Sequence, residues 1–293
     1  MDAFIKALRR SRNIIAVCGA GLSAASGIPT FRGAGGLWRR YQAMDLATPE
    51  AFEDNPSLVW QFYHYRRVSA LRSEPNAAHF ALGLLTQIDT LSRIAPNCHS
   101  FNIVTQNVDG LSPRAHALLP NPEAASLRTW EMHGKVHETV CLICGDSRFD
   151  TRLAICQSLE GTERHFQNDD TPENDILRGD LPCCEKDECG GLLRPGVVWF
   201  GEIPQHLPEI DRFVADADLC LVIGTSSTVY PAASYASEVR DHGGKVAVFN
   251  LERSTGDDES DFLFLGPCEK TVPEALGVED DIVQLGVVVE GDA

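Results

Sequence analysis

Four short apolar runs, at residues 14–18, 101–105, 219–224 and 246–250, stand out of an otherwise mixed chain, and each is closed by Gly, Ser, Asn or Thr. Runs of this length with such endings fit strands buried on both faces of a parallel sheet. In a doubly wound sheet, ligands bind at the carboxyl edge, so polar and glycine-rich residues gathered there predict one shared crevice. Two segments break the strand–helix rhythm. Residues 33–92 read as helices joined through Pro49, Pro56 and Pro75, and residues 136–193 are cysteine-bearing and loop-rich. Together they predict a smaller inserted unit beside an α/β sheet. The Asn-, Asp- and Glu-rich stretch at 167–180 is expected as an exposed loop.

Charge narrows the partners. The formal net charge of −17 opposes non-specific nucleic-acid binding, which needs clustered Lys and Arg, and makes a basic protein segment the better partner. No run reaches the roughly 18–20 apolar residues of a membrane span, and no charged–apolar–small signal pattern opens the chain. The expected site is intracellular. The first residues are basic like a mitochondrial presequence, but Phe4, Ile5 and Leu8 lead straight into a strand-like run. An ordinary first helix is the reading adopted, with cytoplasm or nucleus favoured over the mitochondrion. Ten cysteines in such a chain suggest metal or thiol chemistry ahead of a disulfide framework.

Three local patterns carry chemistry. After the first run, Gly19, Gly21 and Ala24 satisfy G-x-G-x-x-G/A, where small residues let backbone amides approach a pyrophosphate. The usual acidic partner is missing, because Asp45 has the spacing but no strand before it. Gly224-Thr225-Ser226 and Asn250-Leu251-Glu252, each after a later apolar run, are placed to hold the ribose instead. Cys141-x2-Cys144 and Cys184-x4-Cys189 form two pairs about forty residues apart, fit for one closed, structural tetrahedral zinc, with Cys183 as a competing ligand. Tyr63 and Arg66 are three residues apart, hence on one helical face, and could offer a phenol and a guanidinium to one carboxylate.

The stretch from Gly19 to Gly33, GAGLSAASGIPTFRG, closely resembles the sirtuin signature. Thr105-Gln106-Asn107-Val108-Asp109-Gly110, His133-Gly134, Cys141-x2-Cys144, Val198-Trp199-Phe200-Gly201-Glu202, Gly224-Thr225-Ser226 and Asn250 follow in that family's order. The resemblance implies a Rossmann-type doubly wound large domain at about 1–32, 93–135 and 194–293, with a small domain from a helical insert (33–92) and a zinc-binding insert (136–193). It implies NAD consumed as a co-substrate: the acyl oxygen of a modified lysine displaces nicotinamide, and His133 acts as base on the ribose hydroxyl. An imidazole that can take and return a proton near neutral pH suits that task.

By the same resemblance Gly19, Ala20, Gly21, Ser23, Ala24, Trp38, Val108, Gly224, Thr225, Ser226, Asn250, Leu251 and Glu252 contact NAD. Asn107 and Asp109 match positions that orient the nicotinamide and its ribose, Gln106 matches a ribose contact, and Phe31 and Arg32 lie on the cofactor loop. Val198, Trp199 and Phe200 match a strand that pairs with the substrate backbone, and the family's spacing selects Cys184 over Cys183. Tyr63 and Arg66 match the Tyr-x-x-Arg pair of the subgroup that removes malonyl, succinyl and glutaryl groups; Ala43 leaves space beside that pocket, and Cys268 matches a position near the adenine. Two departures stand out: Leu111-Ser112 replaces the family's Leu-His, and residues 113–129 are longer than the pattern expects. Acyl-lysine proteins or peptides are the expected partners. The rival readings are an ADP-ribosyltransferase and a non-catalytic, NAD-responsive binding module.

Overall fold

All four apolar runs become strands of one sheet. The structure, a computed structural model, describes residues 1–30, 36–167, 175–226, 228–254 and 256–288. Its strands are β1 (Asn13–Cys18), β2 (Leu37–Trp38), β3 (Tyr41–Gln42), β4 (Ser100–Thr105), β5 (Thr129–Glu131), β6 (Gly134–Cys141), β7 (Ser147–Phe149), β8 (Leu193–Val197), β9 (Leu219–Ile223), β10 (Lys245–Asn250) and β11 (Phe262–Leu265). The main sheet has the order β11-β10-β9-β1-β4-β5, with every neighbouring pair parallel. The chain builds outward from β1 through β4 to β5, then returns to β9 on the other side of β1 and builds outward again. The reversal between β1 and β9 is where a doubly wound sheet opens a ligand crevice at its carboxyl edge.

Period-two alternation splits the sheet's side chains between two cores. Ile14, Ala16 and Cys18 join Phe101, Leu221, Phe249 and the helical residues Phe4, Leu8, Phe80 and Val272 on one face. Ile15 and Val17 join Val222, Val248, Ile210 and Val239 on the other. The first helix, Asp2–Arg10, buries Phe4 and Leu8 as an ordinary helix should, while Ile5 points outward at 39% exposure. Phe4 meets Phe249, Phe262 and Phe264 edge-on at 6.0, 5.5 and 5.1 Å. Burying such a ring stabilises the fold by roughly 1.5–3 kcal/mol.

The smaller unit forms where the rhythm breaks. Helices Pro49–Asp54 and Pro56–Arg72 each start with proline in the first turn, where no N–H is needed, and are capped by Thr48 (3.1 Å to Ala51 N) and Asn55 (2.8 Å to Leu58 N). A separate core of Trp38, Phe52, Trp60, Phe62, Val136 and Leu193 joins them to the antiparallel sheet β7-β6-β8. Arg67, fully buried, fixes that junction by donating to the carbonyls of Val136 (3.0 Å), Asp150 (2.7 Å) and Arg152 (3.3 Å). Of the helical insert, the residues from Ala77 to Ile94 pack with the main sheet instead. Within the polar stretch at 167–180, residues 168–174 lie outside the described residues, and Arg178–Asp180 forms an exposed 3-10 turn. Among the described residues no helix is long and apolar enough to cross a membrane.

Candidate active site

Glycines bring β1 and β9 into contact at the crevice. Gly19 N donates to Ile223 O at 2.9 Å and Gly21 N to Gly224 O at 2.7 Å. A Cβ on Gly21 would stand 2.7 Å from Gly224 Cα, and one on Gly224, whose φ is +59°, 2.3 Å from Leu22 N. Neither position tolerates a side chain without parting the strand ends. The turn continues as a 3-10 helix, Ala20–Ser26, with Leu22 and Ser23 buried and Ala24 exposed.

Side-chain amides knit the other strand ends to this turn. Asn107 Nδ2 donates to Gly19 O (2.9 Å) and Ser23 Oγ (3.2 Å), and Gln106 Nε2 reaches Thr225 Oγ1 (3.4 Å). Asn250 Nδ2 donates to Thr225 O at 3.1 Å. Thus Gly19, Ser23, Gln106, Asn107, Thr225 and Asn250 share one polar rim, with Ser226 half-buried beside it and Leu251 and Glu252 exposed just beyond β10. Trp38 is placed differently: it is 2% exposed in the small unit's core, 5.5 Å from the Phe62 ring, and its buried indole N–H has no hydrogen-bond partner among the described residues. Cys268 is buried, 3.7 Å from Phe249 O, and burial pushes its thiol up to about 12. Phe31 and Arg32 lie outside the described residues.

His133 stands in the turn between β5 and β6, at the end of the sheet that carries Gln106. Its Nδ1 is 3.1 Å from Gln106 O. A carbonyl only accepts, so Nδ1 carries the proton and Nε2 keeps a lone pair. Burial holds its pKa below the ordinary 6.5, with the Gln106 contact opposing. Gly134 follows at φ +77°, where a Cβ would meet Gly196 O at 2.3 Å, so the close crossing of β6 and β8 beside the imidazole requires glycine. Asp109 is also buried, accepts from Leu111 N at 2.9 Å, and has its carboxyl pKa raised by burial. It lines a small cleft together with Arg66, Val108, Ile28, Pro29 and Val136.

The helix Pro56–Arg72 brings Tyr63 and Arg66 to that side of the molecule. Tyr63 is 3% exposed, and its oxygen accepts from Trp199 Nε1 at 3.0 Å. Arg66 is half-buried above the Phe62 ring at 5.8 Å; burial lowers its pKa, with Tyr63 and Asp109 acting against that shift. Ala43 is buried in the same core. The strand expected at 198–200 is corrected: β8 stops at Val197. Val198 N keeps the β6 register by donating to His133 O (2.8 Å), but Trp199 N turns to Glu202 Oε2 (2.8 Å) and Phe200 N to Ala47 O (3.0 Å), which ends the pairing with β6. Trp199 is a core residue at 3% exposure, while Phe200 faces outward at 37%.

The four cysteines converge. The Sγ atoms of Cys141, Cys144, Cys184 and Cys189 all lie within 4.8 Å of one another, with Cys141–Cys189 at 3.6 Å and Cys144–Cys184 at 3.8 Å. Four sulfurs at 2.3 Å from a tetrahedral zinc would stand about 3.8 Å apart, the spacing of the Cys141–Cys189 and Cys144–Cys184 pairs, so the set suits that ion. The backbone N–H groups of Cys144 and Ile143 point at Cys141 Sγ and hold that thiol down to about 6, favouring the thiolate a metal needs. Cys183 is turned away, donating to Leu181 O at 3.2 Å. Spacing did not single out Gly191, where a Cβ would lie 2.8 Å from Cys141 Sγ. Nor did it single out His79, whose Nε2 is 3.2 Å from Ser23 Oγ, or Arg194, which stacks 3.7 Å over Trp199. The Asn76-x-x-His79 capping box was the one local signal for the histidine.

The model of the Sir2 family matches residues 19–231. A Canis lupus familiaris protein, the NAD-dependent protein deacylase sirtuin-5, mitochondrial, is 44% identical over 94% of this chain and 84% of its own length. An NAD-dependent protein deacylase of Thermococcus kodakarensis is 40% identical over 95% of each chain. Among solved structures, a Sir2 homolog–NAD complex aligns with a TM-score of 0.74 and 32% identity, over 97% of this chain and 95% of that one. A Sir2–p53 peptide–NAD+ structure aligns at 0.69 and 27%, over 96% and 98%. With the family match spanning most of the chain and relatives this similar over nearly all of it, the protein belongs to the Sir2 family.

Proposed function

We propose that the protein is an NAD-dependent protein-lysine deacylase that removes acidic acyl groups, malonyl, succinyl and glutaryl, with weaker deacetylation, and releases nicotinamide and O-acyl-ADP-ribose. The observation that carries the acyl assignment is the half-buried Arg66 guanidinium, three residues on from Tyr63 in one helix and lining one cleft with Asp109. A carboxylate can accept two parallel hydrogen bonds from a guanidinium, whereas an acetyl group offers it no charge to pair with.

The polar rim of Gly19, Gly21, Ser23, Gln106, Asn107, Asp109, Thr225 and Asn250 would hold NAD, which, when bound, supplies an electrophilic ribose carbon and a nicotinamide leaving group. The Gln106 carbonyl fixes the imidazole of His133 so that Nε2 is the basic atom, ready to take a proton from a ribose hydroxyl. Burial keeps that imidazole neutral at physiological pH, the form a base requires. Cys141, Cys144, Cys184 and Cys189 would hold one zinc that braces β6 against the loop before β8, outside the chemistry. The relatives named mitochondrial add that compartment to the cytoplasm and nucleus as candidate sites of action.

Mass analysis of the products tests the reaction class. With a succinyl-lysine peptide and NAD, O-succinyl-ADP-ribose and free lysine are expected, and His133→Tyr should abolish both while the circular dichroism spectrum is kept. ADP-ribosylated protein would point to transfer chemistry instead, and no product from the native chain would point to a binding module.

A further inference from the structure

The Trp199 indole controls which way the Tyr63 hydroxyl points. An indole N–H can only donate, so in the 3.0 Å contact between Trp199 Nε1 and Tyr63 the phenol oxygen accepts, and its own proton turns away from the indole. Burial pushes the phenol up to about 12, so the hydroxyl keeps its proton at any ordinary pH. Without the indole donor the hydroxyl could rotate and present a lone pair to an approaching carboxylate, which repels it.

The indole is braced on several sides. The Arg194 guanidinium lies 3.7 Å over its ring, and Phe52 packs with ring centroids 5.2 Å apart. Arg194 pairs with Glu202 through Nη1–Oε1 at 2.5 Å and Nη2–Oε2 at 2.8 Å, and Glu202 Oε2 also accepts the Trp199 backbone N–H at 2.8 Å. One carboxylate thus ties the indole's backbone to the cation stacked on its ring.

We propose that Trp199, braced by Arg194 and Glu202, is a positioning residue for acyl selectivity: its indole N–H orients the Tyr63 hydroxyl to donate to the acyl carboxylate held at Arg66. The inference rests on the acidic-acyl reading above. An acetyl group has no carboxylate for that donor, so the contact bears on the ratio between substrates.

The test is a double-mutant cycle on the ratio of kcat/KM for succinyl-lysine to that for acetyl-lysine peptides at saturating NAD. Trp199→Phe, which keeps an aromatic ring but loses the donor, should lower the ratio about tenfold in the native background and less than about twofold in Tyr63→Phe, where the hydroxyl is gone. Glu202→Gln, a half-exposed position, should move the ratio in the same direction with the indole still in place, and supplies the test if Trp199→Phe does not fold. Equal losses on both peptides, or the same fall in both backgrounds, overturn the positioning role. A native succinyl preference that survives Tyr63→Phe overturns both this role and the part of the acyl reading that assigns Tyr63.

Discussion

A guanidinium binds a carboxylate through paired, charge-assisted hydrogen bonds, and Arg66 is placed to offer them at the cleft. Its neighbour Arg67, fully buried, donates to three backbone carbonyls and belongs to the fold, whereas Arg66 lines a cleft. Replacing Arg66 by Met keeps the length of the side chain and removes the charge. Desuccinylation should then fall about 100-fold and deacetylation only a few-fold, the size of a lost charge-assisted hydrogen-bond pair, read from kcat/KM on matched peptides. Equal losses would leave Arg66 with no role in acyl recognition. The candidates Tyr63 and Arg66 were legible because a helix turns their spacing into a shared face, and the cysteines because a thiolate pair implies a metal. The depth of Trp199 was not legible, since Val198-Trp199-Phe200 reads equally as an exposed or a buried run. The Arg194–Glu202 brace depends on a turn after Val197 that no periodicity encodes.

At the scale of elements, β6 and β8 are anchored in the small unit's core, but the turn that leads out of β6, residues 142–144, is not. Leu142 and Ile143, between the first two cysteines, are 50% and 73% exposed, so the turn is not held by burial. Metal binding is then the main restraint on the turn. Cys144→Ser, or incubation with a strong chelator, should lower the melting temperature by several degrees and release zinc measurable by a colorimetric dye, with activity lost in parallel. An unchanged melting temperature in the chelated protein would show that the cluster carries no structural load. The central strands were legible as apolar runs because both their faces are covered. The edge strands β5 and β11 were not, because an edge strand is only partly buried and its residues mix polar with apolar. The end of β8 is not legible for another reason: the N–H groups of Trp199 and Phe200 are claimed by Glu202 and Ala47, which no local pattern announces.

Across the whole molecule, the buried histidines His64, His79, His116 and His137 make stability depend on pH. Burial holds His79 down to about 3 and His116 and His137 down to about 4, against 6.5 for an exposed imidazole. The unfolded chain therefore takes up these protons first. The stability they contribute is complete above pH 6.5 and lost as pH falls toward 4, by up to about 1.4 kcal/mol per pH unit for each group. The raised carboxyls of Asp109 and Glu131 act in the opposite sense but nearer the carboxylate range. Urea midpoints should accordingly fall between pH 6.5 and pH 5, and a flat profile there would contradict the buried neutral state of these rings. The same burial that shapes this profile shapes the catalytic face, where a neutral His133 and a half-buried Arg66 serve one proposed reaction. That reaction is tested most directly by NAD-dependent acyl release from acetyl-, malonyl- and succinyl-lysine peptides of one sequence, with nicotinamide and acyl-ADP-ribose followed by mass spectrometry. The expected result is turnover that strongly favours the malonyl and succinyl peptides; a preference for acetyl-lysine, or no NAD-dependent release from any of the three, would contradict it.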